Sequence, residues 1–388
     1  MAEAFSFFSP LKINCGSHAL DHLPFELAVH GARAPLILAS PEQVDRPRLA
    51  KVVNAFKTSG LTLGIYDRLA DRQEADLIPL LAQMFRDGNC DSLVAVGSGA
   101  VVDAAKCLNL AVPADPFNGK GDRGRLRPLM LVAIPGGNGD EATGYASDGK
   151  QRLASAEMVP SVVFIDPEMM HLSDERAIVN AALVALVHAV EAFLEDSIGP
   201  PGHAYAIAAI GLIMENLPAV LHSHGAERRR CLQAVVNGQV AAGIAFYAAE
   251  PGICHGLSLR LKAATPLPEG FLMATLLPHL LEIAASVKPQ VVGRLLDPIA
   301  GSEVHALTAD ELKAARATAR IWEFFESLNA EMALPVPTSL ADAGISEAQL
   351  NRILSTDSAA LQDDAVKQMV ARAQKGICLV DDPARIDS

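Results

Sequence analysis

His188, His255 and Glu269 are the residues whose types and spacing best suit chemistry. His188 lies in the apolar run Leu183 to Glu191. His255 lies in Gly252-Ile253-Cys254-His255-Gly256, and Glu269 follows it by 14 residues. Two imidazoles and a carboxylate are a ligand set for catalytic zinc or iron. On a helix, a carboxylate four residues before His188 would share its face and complete a metal grip. Position 184 is Val, which binds no metal. Two readings stay open: a rebuilt two-His-one-carboxylate site, or a site that has drifted away from metal. Taken alone, His188 reads as a buried helix histidine hydrogen-bonded to a neighbour.

A second motif runs Val96-Gly97-Ser98-Gly99-Ala100-Val101-Val102-Asp103-Ala104-Ala105-Lys106: a strand end, a glycine turn and a helix start. Small residues let the backbone approach a pyrophosphate, and the unpaired N–H groups of a helix start favour negative charge. A tight turn with no ligand is the plainer alternative. The stretch is not the G-x-G-x-x-G fingerprint.

The elements that must position these residues fall into two blocks. Apolar strand-like runs at Pro35–Ala39, Leu61–Tyr66, Ser92–Val96, Leu129–Ile134 and Val162–Ile165 alternate with helical spacing at Arg48–Ser59, Glu74–Asp87 and Val101–Leu110. Repeated βα units imply a parallel sheet covered by helices. Past residue 172 the pattern becomes helical, over Ala177–Glu195, Ala204–Leu221, Arg228–Ala249, Glu269–Ser286, Leu307–Leu328 and Glu347–Lys375. The expectation is an α/β nucleotide-binding domain of residues 1–171 and an all-α domain of residues 172–388, with the cleft between them as the default ligand site.

The 388 residues carry a formal charge of −13 and are 50% hydrophobic; the mean hydropathy is +0.24 and the pI about 5.3. An acidic total argues against nucleic acid and anionic membrane surfaces as partners. Histidine and glutamate interrupt the apolar stretches, so none is read as a membrane span. The six cysteines are scattered without a C-x-x-C pair. No basic and then apolar leader opens the chain, and the expected location is the cytoplasm. The apolar start Phe5–Lys12 is read as an edge strand that pairing would protect.

In order along the chain, several motifs resemble those of the iron-containing alcohol dehydrogenase family, within the dehydroquinate-synthase-like superfamily. Gly97 to Lys106 resembles its Gly-Gly-Gly-Ser-x-x-Asp-x-x-Lys turn. Pro135-Gly136-Gly137-Asn138-Gly139-Asp140-Glu141 loosely matches its Pro-Thr-Thr-x-x-Gly-Ser-Glu loop. Ile165-Asp166-Pro167-Glu168 matches its Asp-Pro. Val184 to Glu191 matches Asp-Ala-x-x-His-Ala-x-Glu. Pro268-Glu269-Gly270 and Leu276-Leu277-Pro278-His279 match Pro-His-Gly and Leu-Leu-Pro-His. The resemblance runs from about Pro10 to about Gly344. It implies a Rossmann-like domain, a helical domain, and hydride transfer between a nicotinamide cofactor and an alcohol or carbonyl carbon. Gly97, Ser98, Gly99 and Asp103, with the Gly136-Gly137 loop, would form the cofactor site. Lys150 resembles the lysine that reaches the nicotinamide ribose. The acidic residue that often holds the adenosine ribose falls on Ser40, a site open to a 2′-phosphate, which slightly favours NADP over NAD.

The departures bear on mechanism. The family's one Asp and three His fall on Val184, His188, His255 and Glu269, and a further His falls on Leu259. The apolar replacements disfavour an incompletely neutralised ion, so a tightly bound iron or zinc is not expected; His188, His255 and Glu269 are its ligand candidates. Without metal, His255 or Lys262 would supply the proton, and Arg260 or Lys262 would bind a substrate carboxylate or a developing alkoxide. Leu36 to Gln43 resembles the maleylacetate reductase branch, which suggests an acidic carbonyl substrate. A homodimer is expected, since family members often dimerise through the N-terminal segment. The alternative is a non-redox or regulatory nucleotide-binding member of the fold that has lost hydride transfer.

Overall fold

The computed structural model of the chain describes residues 4–69, 77–114, 126–149, 151–172, 174–249, 251–333, 335–355 and 363–376. The chain divides into two compact units, residues 8–174 with 224–247, and residues 1–7, 175–223 and 248–388.

The first unit holds β1 (Lys12–Cys15), β2 (Pro35–Ala39), β3 (Gly64–Tyr66), β4 (Ser92–Val96), β5 (Leu129–Val132) and β8 (Val162–Ile165). They form a six-stranded sheet in the order β1-β8-β5-β4-β2-β3. Every pairing is parallel. Strands β2, β4, β5 and β8 are buried along their whole length, as parallel strands covered on both faces must be. Helices α1 (Leu23–Val29), α2 (Arg46–Asn54), α3 (Leu77–Asp87) and α4 (Ala100–Ala111) connect or flank them. A small antiparallel hairpin, β6 (Tyr145–Ser147) with β7 (Arg152–Ala154), completes the α/β unit together with α7 (Gly225–Ala248). From β2 the chain runs outward to β3, then returns to β4 on the other side and continues outward through β5 to β8. The C-terminal ends of β2 and β4 therefore flank the topological switch point, where open α/β sheets bind ligands.

Two features differ from the sequence expectation. The first strand is Lys12–Cys15, not Phe5–Lys12, because pairing with β8 starts at Lys12↔Val162. The aromatic residues before it are spent elsewhere: Phe7 stacks on Tyr205 with ring centroids 6.0 Å apart, and the Phe5 ring covers Gly199. Helix α7, expected in the all-α domain, belongs to the sheet unit, against the loop after β5 and the β6–β7 hairpin. Gly243 lets it approach, since a Cβ there would lie 2.0 Å from the Gly139 carbonyl oxygen. Tyr145 also meets Phe246 and Tyr247 edge-on.

The second unit is helical: α5 (Glu175–Leu194), α6 (Gly199–His222), α8 (Ile253–Leu261), α9 (Glu269–Val287), α10 (Pro289–Arg294), α11 (Leu296–Ala300), α12 (Ser302–Leu307), α13 (Lys313–Glu331), α14 (Glu347–Leu354) and α15 (Asp364–Lys375). Helix α5 is buried all round from Ala181 to Phe193, as a helix without a polar face requires. The helix expected over Leu307–Leu328 is α13, entered after a break at Thr308–Leu312. Of the one expected over Glu347–Lys375, the described residues show α14 and α15. By length and composition four helical stretches among the described residues could cross a membrane; in α5 the apolar window is 83% buried inside the fold.

Candidate active site

In the helical unit, one stripe of α5 organises the site. Asn180, Val184, His188 and Glu191 are spaced four, four and three residues apart, hence on one face. Asn180 Oδ1 accepts the amide of Gly270, 2.8 Å away, and so holds the first turn of α9, where Glu269 stands. Glu191 Oε1 accepts the amide of Cys254 at 2.6 Å and holds the first turn of α8, where His255 stands. Each carbonyl-type oxygen satisfies an amide that the helix start cannot satisfy internally. Both approaches need glycine: a Cβ on Gly252 would lie 2.3 Å from the Glu191 carboxyl carbon, and one on Gly270 would lie 2.1 Å from the Asn180 carbonyl oxygen. Burial drives the Glu191 carboxyl up to about 7, against the opposing hydrogen bonds from the Cys254 and His255 backbone.

The held residues converge. His188 Nε2 lies 3.0 Å from His255 Nδ1, both rings buried. Glu269 Oε1 lies 3.7 Å from His255 Nδ1, and Lys262 Nζ lies 3.8 Å from Glu269 Oε2. Lys262 is seven residues after His255 and Leu259 four, so all three share one face of α8; Leu259 and Lys262 are exposed. Arg260, five residues on, falls on a different face and is exposed.

A dication needs several donors aimed at one point and enough negative charge to neutralise it. Here Val184 is buried where a carboxylate would close the grip. The two imidazoles are at hydrogen-bond distance from each other, and the nearby carboxylate is paired with Lys262. Among the described residues no group of three His, Cys, Asp or Glu is arranged to hold a metal ion. With Val184 in place of a carboxylate, the donors that remain are two imidazoles and one carboxylate shared with Lys262.

The sheet unit holds the other candidates. Gly97 and Gly99 take positive φ, 152° and 51°, a region open mainly to glycine. Gly99 is the N-cap of α4 and open space lies beside it, so a ligand's phosphate has room to meet the backbone. Gly136, also at positive φ, lies against Ser98: a Cβ there would be 3.6 Å from Ser98 Oγ. Ser40 is buried at the end of β2, and its Oγ accepts the amide of Glu42. Asp103, one turn into α4, accepts the Ser147 amide at 3.0 Å. Burial and then Asp140 push its carboxyl up to about 6. Gly137 rests on Glu141, whose carboxyl burial raises to about 7. Lys150 lies outside the described residues.

Three supporting residues were not among the candidates read from sequence. Gln43 binds both backbone groups of Ser98. Lys106 is fully buried and donates to the carbonyls of Asp140, Thr143 and Tyr145 at 2.7, 2.8 and 2.8 Å, tying α4 to the loop before β6. The third is Glu191. Its signal was available: Asn180, His188 and Glu191 are the polar residues of the apolar run 178–193, and polar groups on a buried helix must have partners.

The model of the iron-containing alcohol dehydrogenases matches residues 10–167, and that of the family's C-terminal part matches residues 178–385. The chain belongs to the iron-containing alcohol dehydrogenase family. This member is 33% identical over 290 residues to the probable alcohol dehydrogenase EutG of Escherichia coli, covering 71% of this chain and 72% of that one. It is 27% identical over 319 residues to maleylacetate reductase 2 of Cupriavidus pinatubonensis, covering 79% and 82%. Its fold is that of 1,3-propanediol oxidoreductase, with a TM-score of 0.81 over 97% of this chain and 100% of the other at 20% identity. Family membership makes the chain an oxidoreductase of the alcohol dehydrogenase and reductase class.

Proposed function

We propose that this chain is an NAD(P)-dependent reductase of a small functionalised carbonyl compound, working without a tightly bound metal. The observation that carries it is the family match over both halves of the chain; the reading without metal is supported by Val184, a buried apolar residue in place of a carboxylate on the face that carries His188. A reduced nicotinamide dinucleotide, held by its pyrophosphate at the Gly97–Gly99 turn, would supply the hydride to the carbonyl carbon. The chain's own part is to hold the substrate and to hand a proton to the oxygen as it becomes an alkoxide. His255, oriented by His188 and Glu269, is the proton donor. Lys262, exposed on the same face of α8, supplies positive charge for an acidic substrate group or the developing alkoxide. Ser40 at the end of β2 sets no carboxylate against the 2′-phosphate of NADP.

The same proposal includes a homodimer, which covers the open edge of β1, and a cytoplasmic setting, in keeping with five free described cysteines. Light scattering giving a monomer mass at micromolar concentration would remove the dimer. The function is tested by titrating the protein with NADH and NADPH and following nicotinamide absorbance over a panel of aldehydes and keto acids. Failure of both cofactors to bind below millimolar concentration sinks the reading. Cofactor binding with no turnover on any carbonyl would favour a non-redox role instead.

A further inference from the structure

At the switch point of the sheet, a side chain from one strand end clamps the turn of another. The turn after β2 begins at Ser40, whose carbonyl accepts the amides of Gln43 and Val44 at 3.2 and 2.9 Å. That turn aims the Gln43 carboxamide at β4. Ser98 N–H donates to Gln43 Oε1 at 2.9 Å, and Gln43 Nε2 donates to the Ser98 carbonyl at 3.2 Å. A carboxamide carries one donor and one acceptor side by side, the pair that a single residue's backbone presents. Ser98 stands between two glycines at positive φ, where the backbone has little intrinsic preference. Two hydrogen bonds to one residue leave it a single orientation. The fit is close enough to exclude a side chain: a Cβ on Gly97 would lie 2.6 Å from Gln43 Oε1.

The clamp has a consequence for anion binding. Because Ser98 N–H is committed to Gln43, an anion at this turn must draw on the next amides, Gly99 and Ala100, at the head of α4. We propose that Gln43 is the positioning residue of the cofactor turn, and that dinucleotide affinity through the pyrophosphate depends on its carboxamide. This rests on the reading that the turn binds a nicotinamide dinucleotide. The chemistry sets the ranking of variants. Gln43→Met keeps the length and loses both hydrogen bonds. Gln43→Glu keeps the acceptor, loses the donor, and sets a carboxylate beside the pyrophosphate. Gln43→Asn is one methylene too short to reach.

The experiment is calorimetric titration of the full-length protein and its variants with NADH, NADPH, ADP and adenosine. Gln43→Met should weaken NAD(P)H and ADP by about tenfold, the equivalent of one or two net hydrogen bonds, while adenosine, which has no pyrophosphate, changes less than twofold. Gln43→Glu should lose more, and added salt should recover part of that excess. A purely architectural clamp would not move the ratio of ADP to adenosine affinity or give Gln43→Glu a salt dependence. Binding of NAD(P)H by Gln43→Met within twofold of wild type, or equal losses for ADP and adenosine, overturns the proposal. Should Gln43→Met not fold, Gln43→Asn is read in the same titration by the same criteria. Wild-type protein that binds neither cofactor overturns the nucleotide reading itself, a result distinct from any variant effect.

Discussion

The Nε2 atom of His188 and the Nδ1 atom of His255 stand 3.0 Å apart across α5 and α8. That contact joins two residues 67 positions apart in the chain and puts them at hydrogen-bond distance, with Glu269 3.7 Å beyond. From it follows an expectation about metal and proton transfer. His255→Asn should lower kcat by about a hundredfold, the usual worth of a positioned acid, with cofactor affinity unchanged. Activity of the wild type should survive chelators. Elemental analysis of protein purified without added metal decides the matter: stoichiometric iron or zinc, lost together with activity in His188→Ala, would show the metal reading to be the right one.

Glu191 should act through His255. Glu191→Ala leaves the first amides of α8 without their acceptor and frees His255 to move. We expect kcat to fall about tenfold or more and stability to fall by about 1 kcal/mol, the usual cost of a lost helix cap. Glu191→Gln keeps an acceptor oxygen for the Cys254 amide and should retain most of the activity. Equal losses of kcat in the two variants would show that the cap does not position His255.

Glu141 gives a pH dependence. Its carboxyl is buried and raised from 4.5 to about 7, chiefly by burial. The folded state therefore holds a proton that the unfolded state releases between pH 4.5 and 7. The stability this group contributes is complete below 4.5 and is lost as pH rises through 7. Glu141→Gln removes that loss. Relative to wild type, the variant should gain stability between pH 5 and pH 8, by up to about 3 kcal/mol. Denaturant melts of both proteins at the two pH values test it; a difference independent of pH would show that Glu141 titrates normally.

Lys106 is the fastening of the loop that carries Glu141. Lys106→Met matches its length and leaves three carbonyl oxygens, one buried and two part-buried, without their donor. The expected loss is about 3 kcal/mol in a urea melt, since an orphaned buried acceptor costs about 1 kcal/mol or more. A loss below about 1 kcal/mol would mean that the carbonyls find other partners.

Much of this was legible from the residues alone. The runs Pro35–Ala39, Ser92–Val96 and Val162–Ile165 are strands at the positions read from their apolar composition. A run buried on both faces carries its own signal, and the glycine turn after β4 is local chemistry. The family, too, was fixed by motifs in linear order. What tertiary structure decided depends on contacts between distant segments. Helix α7 reads like the other long apolar helices, yet it belongs to the sheet unit, where Gly243 meets Gly139 in the loop after β5. The Phe5–Lys12 stretch reads as a strand, yet only the register with β8 says that pairing begins at Lys12. Neither Gln43 nor Glu191 advertises a partner in its own neighbourhood; one finds Ser98 across 55 residues and the other Cys254 across 63. Local sequence sets which backbone conformations are cheap, whereas the pairing of a buried polar group is settled by whichever complementary group the packed fold brings within 3 Å.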